Sequence, residues 1–398
     1  MLRFKSIRAP LSAILAAALL FAAAFSGCSQ AFSKDYIVIK DHEDGYNKLE
    51  PDSTVHVVSN YAGMKNAVMD LVANAAEYGL IRTKNYSGDA TEDISRACHE
   101  VTRETPLGVY AVEYMSHKPT RMISYYEIEL SISYKRSSED ISNVVRVKSG
   151  PELYSHIDVA IMNSSDSIAM LQVSFSIEKD TIEKHVINYY RKNPHLVYEL
   201  PKMTITEYPN AEAIQKIIEI EFEYSRSGTE ISRRLNELNS VAEKMASGLE
   251  GQDQAYSVMV LCQRLMAATI YYRGKNLADK IRAYDALVKS EASSEGYAMA
   301  FKLLCMLAGI DCRVIEGRMN SERHFWNIIK IGSDYYHVDT FMCDIEGMES
   351  AFLKRDSDMW GKYWWDTEDY EECNGRLTYA DLLSSLETAE EEEEAGQE

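Results

Sequence analysis

The feature that most restricts the fold is a glycine–serine pair between two segments that are predicted to be strands. The pair occupies 332–333, between segments of about 324–331 and 334–339. Glycine followed by a small polar residue favours a two-residue type II′ turn, which joins antiparallel strands. With those two residues as the loop, Ile331 lies opposite Asp334, and the register of the whole hairpin is fixed.

This register predicts one polar contact. Trp326 lies opposite Asp339, so His324, two residues earlier, shares the sheet face of Asp339 and is its diagonal neighbour. A carboxylate beside an imidazole fixes the tautomer of the ring and stabilises its charged form, as a general base requires. Each residue alone also fits a structural role, the histidine in the core or at an edge and Asp339 as the cap of the next turn.

A strongly apolar helix precedes the hairpin. It begins near Ser294 and ends at Gly309, as a C′ glycine ends a helix. The unpaired N–H groups at a helix N-terminus stabilise an anion on a nucleophile or on a tetrahedral intermediate. Serine is also a preferred N-cap, so Ser294 is both a candidate nucleophile and a candidate cap.

Four short segments, taken in their order along the chain, are more informative than any single residue. They are Ser-Glu-Gly-Tyr-Ala at 294–298, Ala-Gly-Ile-Asp-Cys at 308–312, His-Phe-Trp-Asn at 324–327 and Tyr-His-Val-Asp-Thr at 336–340. In this order they resemble the transglutaminase-like core of the papain-like cysteine hydrolases. The resemblance covers about 280–345 and implies an α+β core in which a helix packs on an antiparallel sheet.

The resemblance implies a role for each matching residue. Ser294 takes the nucleophile position, His324 is the base and Asp339 orients the histidine. The sequence departs from the family at the nucleophile, which is cysteine in the family and serine here. A serine hydroxyl is far less acidic than a thiol. The neighbouring matched residues are expected to line or support the cleft: Tyr297, Trp326 and Asn327.

Two classes of function follow, with a purely structural protein as a third alternative. In the first, the fold is a catalytically impaired relative that binds a peptide, a protein or a cell-wall component in the former active-site cleft. In the second, the chain is an active Ser-His-Asp hydrolase or acyltransferase on amide or peptide substrates, since that constellation operates on unrelated folds.

The preceding region has a different pattern. From about residue 108 the apolar period is two, and three blocks of strand, strand and helix follow, which predicts an α+β region over 54–247 with weak repeats. A polar, glycine-containing stretch at 248–253 indicates a boundary before the transglutaminase-like domain, expected at 254–380. The acidic end, 381–398, favours a disordered tail.

The N-terminus has the form of an export signal. A basic start is followed by a short apolar stretch and then Ser-Gly before Cys28, which resembles a bacterial lipoprotein box. We expect a signal peptide at 1–27, lipidation of Cys28 and a polar leader at 28–53. The protein is then lipid-anchored at the extracytoplasmic face of the cell membrane. An ordinary cleaved signal or an N-terminal anchor helix is the alternative.

Composition excludes other classes of protein. The chain has 398 residues with 62 acidic and 42 basic side chains, a net charge of −20, so nucleic acid is not an expected partner. It has no phosphate-binding loop, no H-E-x-x-H and no EF-hand loop, so no cofactor or metal is implied. Three cysteines within apolar helical patterns are expected to be buried thiols: Cys98, Cys262 and Cys305.

Overall fold

A computed structural model describes residues 55–209 and 213–395 of the chain. The expected signal peptide, the polar leader and the lipidation site Cys28 lie outside the described residues. Of the helices described, none combines the length and the apolar character that crossing a membrane requires.

Residues 55–134 form a first module around a four-stranded sheet. Alternation in the last strand buries Ile128, Leu130 and Ile132 while the intervening side chains are polar. These apolar residues belong to a core that is confined to this module. In chain order the elements are β1 (Val55–Val58), α1 (Tyr61–Ala73), β2 (Tyr78–Thr83), α2 (Ala90–Glu104), α3 (Pro106–Ala111), β3 (Val112–Arg121) and β4 (Tyr126–Tyr134).

A second module repeats the same plan. After the short helix α4 (Ser138–Ser142), its elements recur 89 or 90 residues later, so that the strand beginning at Tyr126 corresponds to one beginning at Lys216. Both sheets have the order first, second, fourth, third strand, with the first pair parallel and the others antiparallel. The elements are β5 (Val145–Val147), α5 (Gly150–Met162), β6 (Ser167–Gln172), α6 (Lys179–Lys192), β7 (Lys202–Tyr208) and β8 (Lys216–Glu223).

The N-terminal region is thus α+β, as predicted, but its elements are ordered differently from three strand-strand-helix blocks. Each module places a helix between two parallel strands, and the hairpin that follows closes the far edge of the sheet. The short strands β1 and β5 are what the periodicity misses, because three or four residues are too few to show an alternation.

The C-terminal part is built around a buried helix. After α7 (Gly228–Ala246), α10 has nine buried residues and packs on the sheet formed by β13, β12, β11 and β14, in that order. The elements are α8 (Gln254–Ala268), β9 (Ile270–Tyr271), α9 (Ala283–Leu287), β10 (Glu291–Ala292), α10 (Ser294–Leu307), β11 (Cys312–Met319), β12 (Glu322–Ile331), β13 (Asp334–Val338), α11 (Thr340–Glu346), α12 (Met348–Ala351), α13 (Asp356–Met359), β14 (Tyr363–Trp364) and α14 (Tyr379–Ala395).

One apolar core joins the second module to this C-terminal part. It includes Ile220 on β8, Leu238 on α7 and Leu304 on α10. The predicted boundary at 248–253 does coincide with the link between α7 and α8, where Asp253 caps the second helix. The three cysteines expected to be buried are buried, at Cys98, Cys262 and Cys305.

The C-terminal segment differs from the expected disordered tail. Residues from Tyr379 to Ala395 form the helix α14, and Leu382 in its first turn is buried in the large core. Thr378 and Asp381 exchange hydrogen bonds at its start, which satisfies backbone donors that a helix end leaves free. The prediction of disorder rested on the run of acidic residues, which follows this apolar and capped beginning of the helix.

Candidate active site

The hairpin has the predicted register. Ile331 lies opposite Asp334. Gly332 has φ of +59° and Ser333 has a negative φ, as a type II′ turn requires. The predicted polar contact is present: Nε2 of His324 lies 2.6 Å from Oδ2 of Asp339, and both side chains are buried. Because an ionised carboxylate only accepts, Nε2 carries the proton, and the other nitrogen of the neutral ring is an acceptor.

Asp339 is a fully satisfied buried carboxylate. Its Oδ2 also accepts a hydrogen bond from the Tyr363 hydroxyl at 2.8 Å, and its Oδ1 accepts from the Met342 N–H at 3.0 Å. Asp339 therefore orients His324 and caps α11, so the two roles that the sequence allows coexist. Burial and the neighbouring Asp339 raise the pKa of Tyr363, which keeps its hydroxyl protonated as a donor.

Tyr363 belongs to an aromatic cluster that could line a cleft by sequence, but no sequence signal assigns it the bond to Asp339. It is brought to this end of the sheet because β14 pairs with the last residues of β11, the strand that separates it from β12. The sequence offers only a cluster of aromatic residues at 363–365, for which core packing is the more common explanation.

Ser294 lies at the N-terminus of α10 but is not its cap. Ser293 is the N-cap, and its hydroxyl donates to the Lys280 carbonyl at 2.9 Å instead of accepting from the helix. The prediction that Ser294 caps the helix is therefore wrong, because the preceding residue occupies that position. Within the described residues no side-chain cap bonds to the first turn of α10, so its N–H groups lack a side-chain acceptor.

The Ser294 hydroxyl lies beside the histidine strand without bonding to the ring. Its Oγ accepts a hydrogen bond from the backbone N–H of Phe325, the residue after His324, at 3.3 Å. In the described parts of the chain, no hydrogen bond joins Ser294 to His324. The structure thus brings the three predicted residues to one place, with the base oriented and the hydroxyl bonded to backbone.

Trp326 forms a wall of this site. Its ring stacks on His324 at 6.1 Å between centroids and meets the ring of Tyr363 edge-on at 5.2 Å. Its indole N–H donates to Nδ1 of His337 at 3.0 Å, and Nε2 of His337 lies 2.8 Å from Asp356. The chain from Asp356 through His337 therefore fixes the orientation of the wall.

The other two predicted support residues are buried and bonded. Asn327 donates from Nδ2 to the Ala298 carbonyl of α10 at 3.0 Å and so ties the sheet to the helix. The Tyr297 hydroxyl lies 2.7 Å from Asp344 and 2.8 Å from the Thr269 carbonyl. Both side chains hold elements together, which makes them support rather than lining.

One group has the residue types of a metal site. In the described residues, ligand atoms of His337, Asp356 and Cys373 lie within 4.8 Å of one another. Because the indole of Trp326 can only donate, Nδ1 of His337 is the acceptor and Nε2 carries the proton. A protonated Nε2 has no lone pair for a metal, and burial raises the pKa of the Cys373 thiol. The donor set therefore fits a structural hydrogen-bond relay better than a metal centre.

Glu295, next to the nucleophile position, is a half-buried acid. Burial is the largest influence and raises its pKa to about 7, while Arg323 and Arg191 act in the opposite direction. The carboxyl group therefore changes its charge near neutral pH at the first turn of α10.

The comparisons with known proteins agree with the resemblance. The model of the transglutaminase-like superfamily matches residues 239–340. No curated protein matches the chain.

Solved structures with a similar arrangement include a TGase, at 10 % identity and a TM-score of 0.25 over 50 % of this chain and 58 % of that one. They also include a proposed cysteine protease from Cytophaga hutchinsonii, at 14 % identity and a TM-score of 0.23 over 35 % and 62 %. A third is a proposed protease from Parabacteroides distasonis, at 10 % identity and a TM-score of 0.20 over 54 % and 46 %. The chain thus spans less than two thirds of each of these proteins.

Proposed function

Because residues 239–340 form a transglutaminase-like domain, we propose that the protein is a catalytically impaired member of this superfamily that binds a peptide or cell-wall component in its active-site cleft. The observation that supports the proposal is the partner of the Ser294 hydroxyl. It accepts from the Phe325 N–H and has no hydrogen bond to His324 in the described chain. A serine nucleophile needs a base that removes its proton during attack.

The site departs from the family at the nucleophile position, where Ser294 stands in place of cysteine. A thiol ionises beside an imidazole and attacks as a thiolate, whereas a hydroxyl depends on concerted proton transfer over hydrogen-bond distance. The His324–Asp339 pair and the uncapped end of α10 would serve either nucleophile. The side chain at 294 is therefore the part of the site that departs from the family.

Replacing Ser294 with cysteine tests this proposal. We expect the Ser294→Cys variant to react with iodoacetamide under native conditions and to be acylated by an activated ester, while the wild-type protein does neither. The six cysteines in the described residues are buried, so they contribute little background. Ser293→Cys is the matched control, because its side chain is buried and faces the Lys280 carbonyl, and it should stay unreactive.

An active serine hydrolase or acyltransferase is the second candidate. It is favoured by the His324–Asp339 contact at 2.6 Å and by the Tyr363 hydroxyl that supports it. Amide or ester turnover by the wild-type protein that disappears in Ser294→Ala would establish this candidate and overturn the first.

We also propose that the protein is lipid-anchored through Cys28 at the extracytoplasmic face of a bacterial membrane. The support comes from the sequence, in which a basic and then apolar segment precedes Ser-Gly-Cys. Labelled fatty acid should be incorporated into the expressed full-length chain and lost in Cys28→Ala. Incorporation that persists in this variant would contradict the assignment.

A further inference from the structure

A second concave surface lies between the second module and the transglutaminase-like domain. It is a cleft of about 800 Å³ lined on one side by α6 and on the other by α10 and β11. Ligand sites occur preferentially where two structural units meet. The residues that line this cleft are not those of the candidate active site.

The cleft is cationic although the protein is acidic. Its lining includes three acids, Asp311, Glu316 and Asp369, and five bases, while the whole chain has a net charge of −20. A local excess of positive charge attracts negatively charged ligands, although the net charge of the whole molecule repels them. The five bases are Lys184, Arg191, Lys192, Lys302 and Arg313.

The lysines of the cleft are free to bind a ligand, whereas its arginines are occupied. Arg191 pairs with Glu316, and Arg313 pairs with Glu371 at 2.6 Å. Across residues 55–209 and 213–395, by contrast, no ion pair engages any of the three lysines. Three ammonium groups around one cleft repel one another, and this repulsion is relieved when an anion binds between them.

The cleft continues toward the candidate active site. Arg191 and Glu316 also line an adjoining pocket of about 390 Å³ that extends to Arg323, the residue before His324. The guanidinium groups of Arg191 and Arg323 lie 5.5 and 4.7 Å from the ring centre of Phe325. The Phe325 N–H in turn bonds to Ser294, but neither Phe325 nor Ser294 is among the residues that line the two pockets.

We infer that this cleft binds an acidic peptide segment, whose carboxylates contact Lys184, Lys192 and Lys302 and whose chain extends past Arg191 into the adjoining pocket at Arg323. A polyphosphate fits less well than a peptide, because Asp311 and Asp369 also line the cleft and repel a ligand of higher charge density more strongly. The inference goes beyond the proposed function, since it assigns a separate binding site beside the same domain, and it does not require Ser294 to be inert.

Binding of labelled peptides to the full chain tests the inference. The probe is fluorescein-labelled tetraglutamate, measured by fluorescence anisotropy, with tetraglutamine as the uncharged comparison. We expect tetraglutamate to bind and tetraglutamine to bind at least about tenfold more weakly. The triple variant Lys184→Gln, Lys192→Gln, Lys302→Gln should lose about tenfold or more in affinity, and raised salt should weaken the wild-type binding.

A matched control removes the same charge elsewhere. Lys148, Lys244 and Lys275 are exposed, have no ion pair in the described residues and do not line the cleft. Their triple change to glutamine should leave tetraglutamate binding within about twofold of wild type. Equal weakening by both triple variants, or equal binding of tetraglutamine, would overturn the inference.

Two further measurements separate the ligand class from the chemistry at Ser294. Inorganic triphosphate that displaces tetraglutamate at the same concentration as an unlabelled peptide of equal charge would show a general anion site and overturn the peptide assignment. If tetraglutamate does not bind but the Ser294→Cys variant is reactive, this inference alone is overturned. If the wild-type protein is an active enzyme and also binds tetraglutamate, only the impaired-enzyme proposal is overturned.

Discussion

At the scale of single residues, the site is held together by one buried carboxylate. Asp339 has no exposed surface and accepts hydrogen bonds from a ring, a hydroxyl and a backbone N–H. A buried charge is tolerated when such partners replace the water that it loses. Each partner of Asp339 therefore affects both stability and the orientation of His324.

Removing the Tyr363 hydroxyl should destabilise the protein measurably. Tyr363→Phe keeps the ring against Trp326 but removes the donor to Asp339, and a hydrogen bond to a charged group contributes about 2 kcal/mol. Urea unfolding followed by tryptophan fluorescence measures the loss. Tyr78→Phe, at an exposed tyrosine of β2, should change the free energy of unfolding by less than about 0.5 kcal/mol. Equal effects of the two changes would contradict this role for Tyr363.

The half-buried Glu295 should make stability depend on pH. Its pKa is raised to about 7 from an ordinary value of 4.5, so the folded state holds the proton more tightly than the unfolded state. The resulting stabilisation is present below about pH 4.5 and is lost as pH rises through about 7. Glu295→Gln should therefore match wild type near pH 4.5 and exceed its free energy of unfolding by about 2 kcal/mol at pH 8. Unfolding curves at both pH values measure the difference, and parallel pH profiles would refute it.

The sequence predicts part of this site for a definite reason. The His324–Asp339 contact follows from a local turn, whose chemistry fixes which residues face each other. The contribution of Tyr363 does not, since it depends on β14 returning to β11 after three short helices. The position of Ser294 relative to the cap was missed because the Lys280 carbonyl, from a distant loop, holds Ser293.

At the scale of elements, the N-terminal region is a duplication that periodicity only partly reveals. The ends of β4 and β8 lead into similar sequences, in which Arg136 and Arg226 are followed by the helix-capping residues Ser137 and Ser227. These matching ends suggest a repeat, but they do not show that β1 and β5 pair in parallel with the next strand. Parallel pairing joins distant residues through a helix, which leaves no local signal.

The start of α10 requires a glycine for packing rather than for its backbone angles. A Cβ on Gly296 would lie 2.7 Å from the Lys280 carbonyl oxygen and 2.7 Å from the Ala292 Cβ. Gly296→Ala should thus destabilise the fold by about 2 kcal/mol, although alanine is the better helix former. Gly228→Ala, at the start of α7, meets nothing closer than 3.8 Å and should be neutral or slightly stabilising. Thermal unfolding of the two variants measures the contrast, and an unchanged Gly296→Ala variant would contradict it.

At the scale of the whole molecule, the C-terminal domain extends its core into the second module. Besides the shared apolar core, Arg282 reaches Glu199 at 3.1 Å, and both are buried. Glu199 also pairs with Arg226 at 3.1 Å, which adds a charged contact across the same junction. A polar stretch such as 248–253 indicates where the chain is exposed, but it does not indicate which surfaces pack together. The boundary predicted from it therefore separates the second module from a C-terminal domain with which it shares one core.

The first module, in contrast, has its own core and should unfold separately. Its contact with the second module is a small cluster that includes Tyr110 and Ile217, together with the ion pair between Arg136 and Glu219 at 2.6 Å. Ile81→Ala, in the core of the first module, should lower the free energy of unfolding of that module by about 2 to 4 kcal/mol. All four tryptophans lie between residues 326 and 365, so their fluorescence reports on the C-terminal core alone.

Two probes of the same unfolding experiment therefore distinguish the units. In Ile81→Ala, part of the far-ultraviolet circular dichroism should be lost at lower urea while the tryptophan fluorescence midpoint is unchanged. Leu304→Ala, in the large core, should shift the fluorescence midpoint instead, because that core holds the second module and the C-terminal domain together. If both variants shift both probes equally, the small contact at Arg136 and Tyr110 is strong enough to make the described chain a single cooperative unit. The active-site cleft would then be coupled to a module that does not contribute to its core.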